Sequence, residues 1–360
     1  MNDRLIDDQT LSLERKSLLP GRGFFVPDDV QAERRAREIE EEATGADVIV
    51  VSDPDADGLG CVAIVREVIG EAALIPTGPH ELADGLEYAA EFGTEETTVF
   101  VCDLSPDDPD RIESALTELV SVVDSVEWFD HHQWTERATS RVREEGVELV
   151  LGDSETECTA DVAIRSLSGE IPDHLSELAA VTRDHDLWIK EDPRSDDLAD
   201  FSMWSEPEEY VEVVRQNGAD LPEDVLSLLE ERRVEKDALI DRAVTRAVLV
   251  EIGDWTVGVT YGRCSQNEVA EELRAEGADA AVIVKPAGSA SIRGTESFER
   301  CHEVARQVNG GGHPRAAGCK PRIYDDMLDY AHHWTTQGAV AKQVILNGFR
   351  ALDSKPDRDE

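Results

Sequence analysis

The chain has little that would suit a membrane, a disulfide framework or a zinc finger. No stretch approaches the ~20 consecutive apolar residues a membrane span needs, and the charged N-terminus carries no signal-peptide pattern. The six cysteines, Cys61, Cys102, Cys158, Cys264, Cys301 and Cys319, are scattered and form no CxxC pair. They read as reduced thiols of a cytoplasmic protein. Cations are scarce: 35 Lys and Arg stand against 79 Asp and Glu, a formal net charge of −44. The acids run along the whole chain, with no concentration in a tail. Such a surface repels itself and becomes tolerable where salt screens it, since the Debye length falls to about 3 Å at molar salt. A soluble cytoplasmic protein of a salt-in, halophilic cell is the expectation. Few cations ordinarily speak against a nucleic-acid partner. An acidity set by salt says little about the ligand, however, and a local cation-loaded cleft can still hold phosphates.

What is present is a regular alternation. The 360 residues suffice for two domains with real cores. From residue 46 the chain reads ADVIVVSD as a buried strand, DADGLGCVAIVREVIG as a helix, AALIPTG as a strand and ELADGLEYAAEFG as a helix. TTVFVCDLS, DRIESALTELVSVV, SVEWFDHH and VELVLGD continue the rhythm. Strands alternating with helices predict a doubly wound, mainly parallel α/β domain. A helical stretch follows, then a smaller C-terminal α/β domain. The expected boundaries are a lead-in over 1–26, a catalytic domain over 27–195, a helical linker over 196–245, a substrate-binding domain over 246–335 and a C-terminal helix and tail over 336–360.

In open parallel sheets, ligands bind beyond the carboxyl ends of the strands. The chemical residues fall there: Asp53, Asp55 and Asp57 after VIVV, Asp103 after VFVC, and Asp130, His131 and His132 after VEWF. One such Asp is commonly a helix cap or turn residue. Three acidic strand ends with adjacent imidazoles point to a metal centre. Carboxylates and imidazoles without thiolates suit Mn²⁺ or Mg²⁺, and this many acids favour two ions about 4 Å apart. His132 need not ligate; a cationic ring beside a phosphate acts electrostatically. TRDHDLW adds Asp184 and Asp186, either of which could complete the site. Further on, NGGGHPRAAGC reads as an anion-binding loop in which Gly310, Gly311 and Gly312 let a ligand approach, with His313 and Arg315 beside them. Arg293, at a strand end, offers a bidentate phosphate contact.

With these residues in hand, the chain resembles the DHH phosphoesterase superfamily, which includes RecJ-like exonucleases, oligoribonucleases, pAp phosphatases and cyclic dinucleotide phosphodiesterases. SDPDADGLG, VCDLSP, DHH and TRDHDLW resemble its four ordered motifs, and GGGHPRAAGC resembles the signature of the DHH-associated C-terminal domain. The resemblance implies a Mn²⁺-dependent phosphodiesterase with two ions, acting on single-stranded DNA or RNA, short oligonucleotides among them. Small nucleotides, or a weakly active replisome scaffold, are its alternatives. It implies Asp55, Asp57, Asp103, His131 and Asp184 as metal ligands, Asp130 as their support, and His132 facing the scissile phosphate. Gly310, Gly311, Gly312, His313, Arg315 and Arg293 would hold the substrate. Many members carry a His four or two residues ahead of the first Asp; Val51 and Asp53 stand there instead. Asp53 can ligate through oxygen, so one ion is expected to be held differently. A second copy of the chain, or replication and repair proteins, would be the partners.

Overall fold

The computed structural model describes residues 28–106 and 108–353. The expected lead-in over 1–26 and the last residues of the tail lie outside the described residues. Residues 31–230 form one compact unit, and the chain from 231 onward belongs to a second.

In the first unit, helix α1 (Asp28–Ala43) leads into β1 (Val48–Ser52), α2 (Ala56–Val68), β2 (Ala73–Pro76), α3 (Leu82–Phe92) and β3 (Thr98–Cys102). Then come α4 (Glu113–Val122), β4 (Ser125–Asp130), α5 (Glu136–Glu144), β5 (Glu148–Leu151), α6 (Thr159–Ser166) and α7 (Asp173–Asp186). The five strands are all parallel, in the order β2-β1-β3-β4-β5. Alternate strand residues enter opposite layers, as a pleat with period two requires. Val50, Phe100 and Phe129 pack with α2, α6 and α7. Ile49, Val51, Val101 and Trp128 pack with α3 and α4 on the other face. Both faces are covered, which is why these strands read as continuous apolar runs. The strand order reverses between β1 and β3, and that switch point is where such sheets bind ligands.

Helices α8 (Arg194–Trp204), α9 (Pro207–Asn217) and α10 (Glu223–Thr245) occupy the stretch expected as a linker. Leu198, Phe201, Tyr210, Val211 and Leu229 are buried in the same cluster as α2. Their apolar stripes therefore complete the core of the first unit, and the division between units falls within α10.

The second unit continues with β6 (Val248–Ile252), β7 (Trp255–Tyr261), α11 (Gln266–Ala275), β8 (Ala280–Val284), β9 (Ala290–Gly294), α12 (Cys301–Gln307), β10 (Gly310–Gly312) and β11 (Ala316–Cys319). Helices α13 (Met327–Thr335) and α14 (Ala339–Asp353) follow. The sheet runs β10-β11-β9-β8-β7-β6 and is antiparallel except between β7 and β8. Val259, Val282 and Ile292 face α12 and α14, while Ala281 and Ile283 face α11. Among the described residues, no helix is long and apolar enough to cross a membrane.

One buried cation ties α2 to α9. The Arg66 guanidinium donates to Glu208 through both terminal nitrogens, at 2.6 and 2.8 Å, and to the Ala72 carbonyl at 2.7 and 3.0 Å. Arg66→Met keeps the stem and removes these charge-assisted bonds, leaving the Ala72 carbonyl without its donor. It is expected to cost about 2–3 kcal/mol in chemical denaturation, with Glu208→Gln, whose side chain is half exposed, costing well under half as much.

Candidate metal centre

The rim at the switch point is built by local backbone rules. Asp55 is the N-cap of α2, in extended conformation, and its Oδ1 accepts the N–H groups of Asp57 and Gly58 at 3.0 Å each. A side chain at position 58 would place Cβ 2.3 Å from the Asp53 carbonyl oxygen, so only Gly fits this turn. Asp57, in the first turn of α2, is buried. Its two oxygens accept the backbone N–H groups of Thr159 at 2.6 Å and Ala160 at 2.8 Å, where α6 begins. The carboxylate therefore sits at two helix N-termini, both favourable for negative charge.

Asp103 follows β3 with φ of +59°, a conformation few non-Gly residues adopt. It is buried and accepts the Thr159 hydroxyl at 2.9 Å. Asp130 ends β4 fully buried. Its Oδ1 accepts the His131 and His132 N–H groups at 2.9 and 3.3 Å and contacts His132 Nδ1 at 2.7 Å. Its Oδ2 accepts the Trp134 indole N–H at 2.5 Å. Asp130 is thus saturated by donors and orients the pair of imidazoles.

His131 is the centre. Its Nε2 lies 3.2 Å from Asp186 Oδ2, 3.8 Å from Asp103 Oδ1 and 4.0 Å from Asp57 Oδ2. Both ring nitrogens are buried without a hydrogen-bond partner. Buried polar atoms rarely go unpartnered, and a nitrogen facing three carboxylates fits a cation between them. Among the described residues, two sets of side chains have ligand atoms close enough to share an ion: Asp57, His131 and Asp186, and Asp103, His131 and His132.

The fourth motif departs from the sequence expectation. Asp186 is the acid brought to His131, whereas Asp184 is turned away. The Asp184 carboxylate accepts the Glu191 N–H at 2.8 Å, the Asp192 N–H at 3.2 Å and the Ser195 hydroxyl at 2.7 Å, which fills it. Residues two apart on an α-helix project to opposite sides, so only one of the two can face the site. Asp53 does reach the rim, where the charges of Asp55 and His132 act on it. Val51 is buried in the core on the α3 and α4 face.

Crowding of acids dominates the electrostatics. Burial, then the charges of Asp57, Asp55 and Asp186, holds the Asp103 carboxyl well above the usual range. Burial raises Asp57 as well, against the pull of His131. Asp186 is raised to about 8 by burial and by Asp57 and Asp55, and Asp53 to about 7 by burial and Asp55. Burial alone would raise Asp130 and lower His132; their mutual hydrogen bond reverses both, leaving Asp130 low and His132 at about 9.

In the second unit, the glycine run is an edge strand of a hairpin in place of the expected loop. A Cβ on Gly310 would sit 2.1 Å from the Gly318 carbonyl oxygen, and Gly312 has φ of +130°. Two of the three glycines are therefore required by pairing with β11, and only Gly311 has open space beside it. His313 donates its N–H to Ala316 at 2.7 Å within the hairpin. Arg293 lies beside it on β9, opposite Ala316, with its Nε donating to Asn267 at 2.8 Å. Arg315 pairs with Glu299 at 2.7 Å. The structure thus gathers Gly310, Gly311, Gly312, His313, Arg293 and Arg315 at one corner of this sheet. Thr159, which holds Asp57 and Asp103, escapes a sequence reading because those partners lie 102 and 56 residues away. Trp134, only four residues past Asp130, escapes it because nothing local marks its indole as a donor to that carboxylate.

No protein-family profile and no curated protein matches the chain. Solved structures do match in fold. A manganese-bound exonuclease RecJ aligns at 17% identity and a TM-score of 0.53, over 89% of this chain and 97% of that one. A DHH domain from a member of a family of ribosomal proteins aligns at 14% identity and 0.54, over 86% and 90%. A pGpG-specific phosphodiesterase from Vibrio cholerae aligns at 14% identity and 0.51, over 82% and 98%. The chain therefore has the two-domain α/β fold of DHH-type proteins.

A chelator-treated sample should reveal the crowded acids. In the folded protein Asp53, Asp57, Asp103 and Asp186 keep protons that the unfolded chain releases near pH 4. Their contribution is complete below about pH 4 and lost as pH rises through about 7 and 8, the folded values of Asp53 and Asp186. The raised His132 acts in the same direction, its contribution fading from about pH 6.5 to about 9. The thermal midpoint in chelator is expected to fall steadily from about pH 5 to about pH 9, measured across a buffer series at fixed salt.

Proposed function

We propose that the protein is a metal-dependent phosphodiesterase of RecJ-like type that hydrolyses single-stranded DNA or RNA, short oligonucleotides included. The observation that carries this reading is the unpartnered His131 ring among Asp57, Asp103 and Asp186, at the switch point of a fold shared with a manganese-bound RecJ. Mn²⁺ or Mg²⁺, two ions in all, would be held by Asp55, Asp57, Asp103, His131 and Asp186, with Asp53 as an added oxygen donor. Bound there, divalent ions supply a nucleophile at neutral pH and neutralise charge on the phosphoryl oxygens.

The remaining roles belong to the chain itself. Asp130 keeps His132 protonated and fixed through the bond at 2.7 Å. His132, half exposed beside Asp103, then presents a cation to a phosphoryl oxygen as charge builds up in the transition state. In the second unit, the Gly310–Gly312 hairpin with His313, Arg293 and Arg315 is the proposed hold for the nucleotide strand. Gly311 is the position where a backbone can approach without hindrance.

End-labelled oligonucleotides incubated with Mn²⁺ in molar salt test this reading. Processive shortening is expected in the wild type. His132→Ala should lower kcat by roughly 100-fold or more, and Asp130→Ala by about 10- to 100-fold through its loss of grip on the imidazoles. Undiminished cleavage in both variants, or cleavage confined to dinucleotides, would contradict it.

A further inference from the structure

The turn that ends α7 carries side chains whose placement the metal site does not require. Trp188 has φ of +57° and Lys190 φ of +61°. The residue one past a helix end often adopts this left-handed conformation, and Gly is the usual occupant; here it is the largest side chain of all. The turn is held in place by Asp184. Its carbonyl accepts the Ile189 and Lys190 N–H groups at 2.8 and 3.3 Å, while its carboxylate accepts those of Glu191 and Asp192. Strained residues persist where the surroundings fix them so firmly, and they gather at binding sites.

The side chains are arranged as a surface. Lys190 Nζ lies 3.9 Å from the centroid of the Trp188 ring, backing the indole with a cation. That ammonium is itself held by Asp196 and lies 3.3 Å from His185 Nδ1. The His185 ring meets the indole at 5.4 Å and 68°. Ile189 is exposed next to it, and among the described residues the indole N–H has no acceptor. Asp186, whose carboxylate is 3.2 Å from His131, is only two residues away. The Cα atoms of residues 186 and 188 are therefore at most ~7.6 Å apart, a span comparable with that from a phosphate to its own base.

The geometry points to the turn of Trp188, Ile189 and Lys190 as a stacking platform for the base of a nucleotide whose phosphate lies at the metal centre. It rests on the phosphodiesterase reading above and adds a recognition element to it. Stacking tolerates every base, so the platform favours nucleotides over other phosphate esters without reading sequence.

The test is equilibrium binding of two probes in Mn²⁺, adenosine 5′-monophosphate and ribose 5-phosphate, which differ only by the base. The wild type should bind the nucleotide the more tightly. Trp188→Gly, which suits the left-handed backbone and should fold at least as well, is expected to weaken the nucleotide about 10-fold and leave the sugar phosphate unchanged. Trp188→Phe should retain most of the preference. Equal affinity of the wild type for both probes, or a nucleotide affinity untouched by Trp188→Gly, would overturn the platform. Oligonucleotide hydrolysis measured alongside separates the two ideas. Cleavage with binding indifferent to Trp188 removes the platform alone. A base preference that depends on Trp188 in a protein that cleaves no oligonucleotide leaves the platform and removes the phosphodiesterase reading.

Discussion

Carboxylates gathered in a buried cup repel one another, and the architecture of the first unit follows from holding them there. Asp57 and Asp103 are almost fully buried, where ionised groups are costly unless hydrogen-bonded or paired. The fold answers with donors. Helix α6 turns two backbone N–H groups toward Asp57 and the Thr159 hydroxyl toward Asp103. Helix α2 turns two toward Asp55, and the backbone after β4 turns two more toward Asp130. What these donors leave unbalanced shows in the raised carboxyls of Asp57, Asp103 and Asp186. Protons or divalent cations would relieve that remainder, and under the proposed function the same crowding that sets the acids against one another is what would draw an ion to the cup.

The parallel sheet makes the crowding repeatable. Its strands end side by side, with Ser52 opposite Cys102 and Cys102 opposite Phe129 in register, so the residues just beyond them share one rim. Asp103 takes a left-handed backbone there, and Gly58 leaves room for the Asp53 carbonyl. Both of these departures from ordinary geometry lie within a few residues of the acids. The rest of the unit, from the apolar strands to α8 and α9, is conventional burial that keeps the rim rigid.

Much of this was legible in the sequence. Acidic residues at the ends of apolar runs, together with the alternation of strand and helix, located Asp55, Asp57, Asp103, Asp130, His131 and His132, because a strand end fixes both position and direction. The choice between Asp184 and Asp186 was not legible. Both lie in the last turn of α7, and which of them faces the sheet depends on how the whole helix is rotated, a property of packing. The glycine run illustrates a second limit. Three glycines look like a loop until β11 folds back on them across the three residues 313–315, and a run without side chains carries no strand pattern to announce that pairing. Likewise, the apolar stripes of α8 and α9 marked burial without telling in which unit.

The Asp184 turn joins these threads. The Asp184 carboxylate, which the resemblance implied as a ligand, fastens the segment that follows and carries Trp188 and Lys190. The most direct measurement is a calorimetric titration of the metal-free protein with Mn²⁺. Saturable binding of two ions is predicted for the wild type, with at least one lost in His131→Ala. Isotherms that coincide for the two proteins, or no binding by the wild type, would contradict the metal centre.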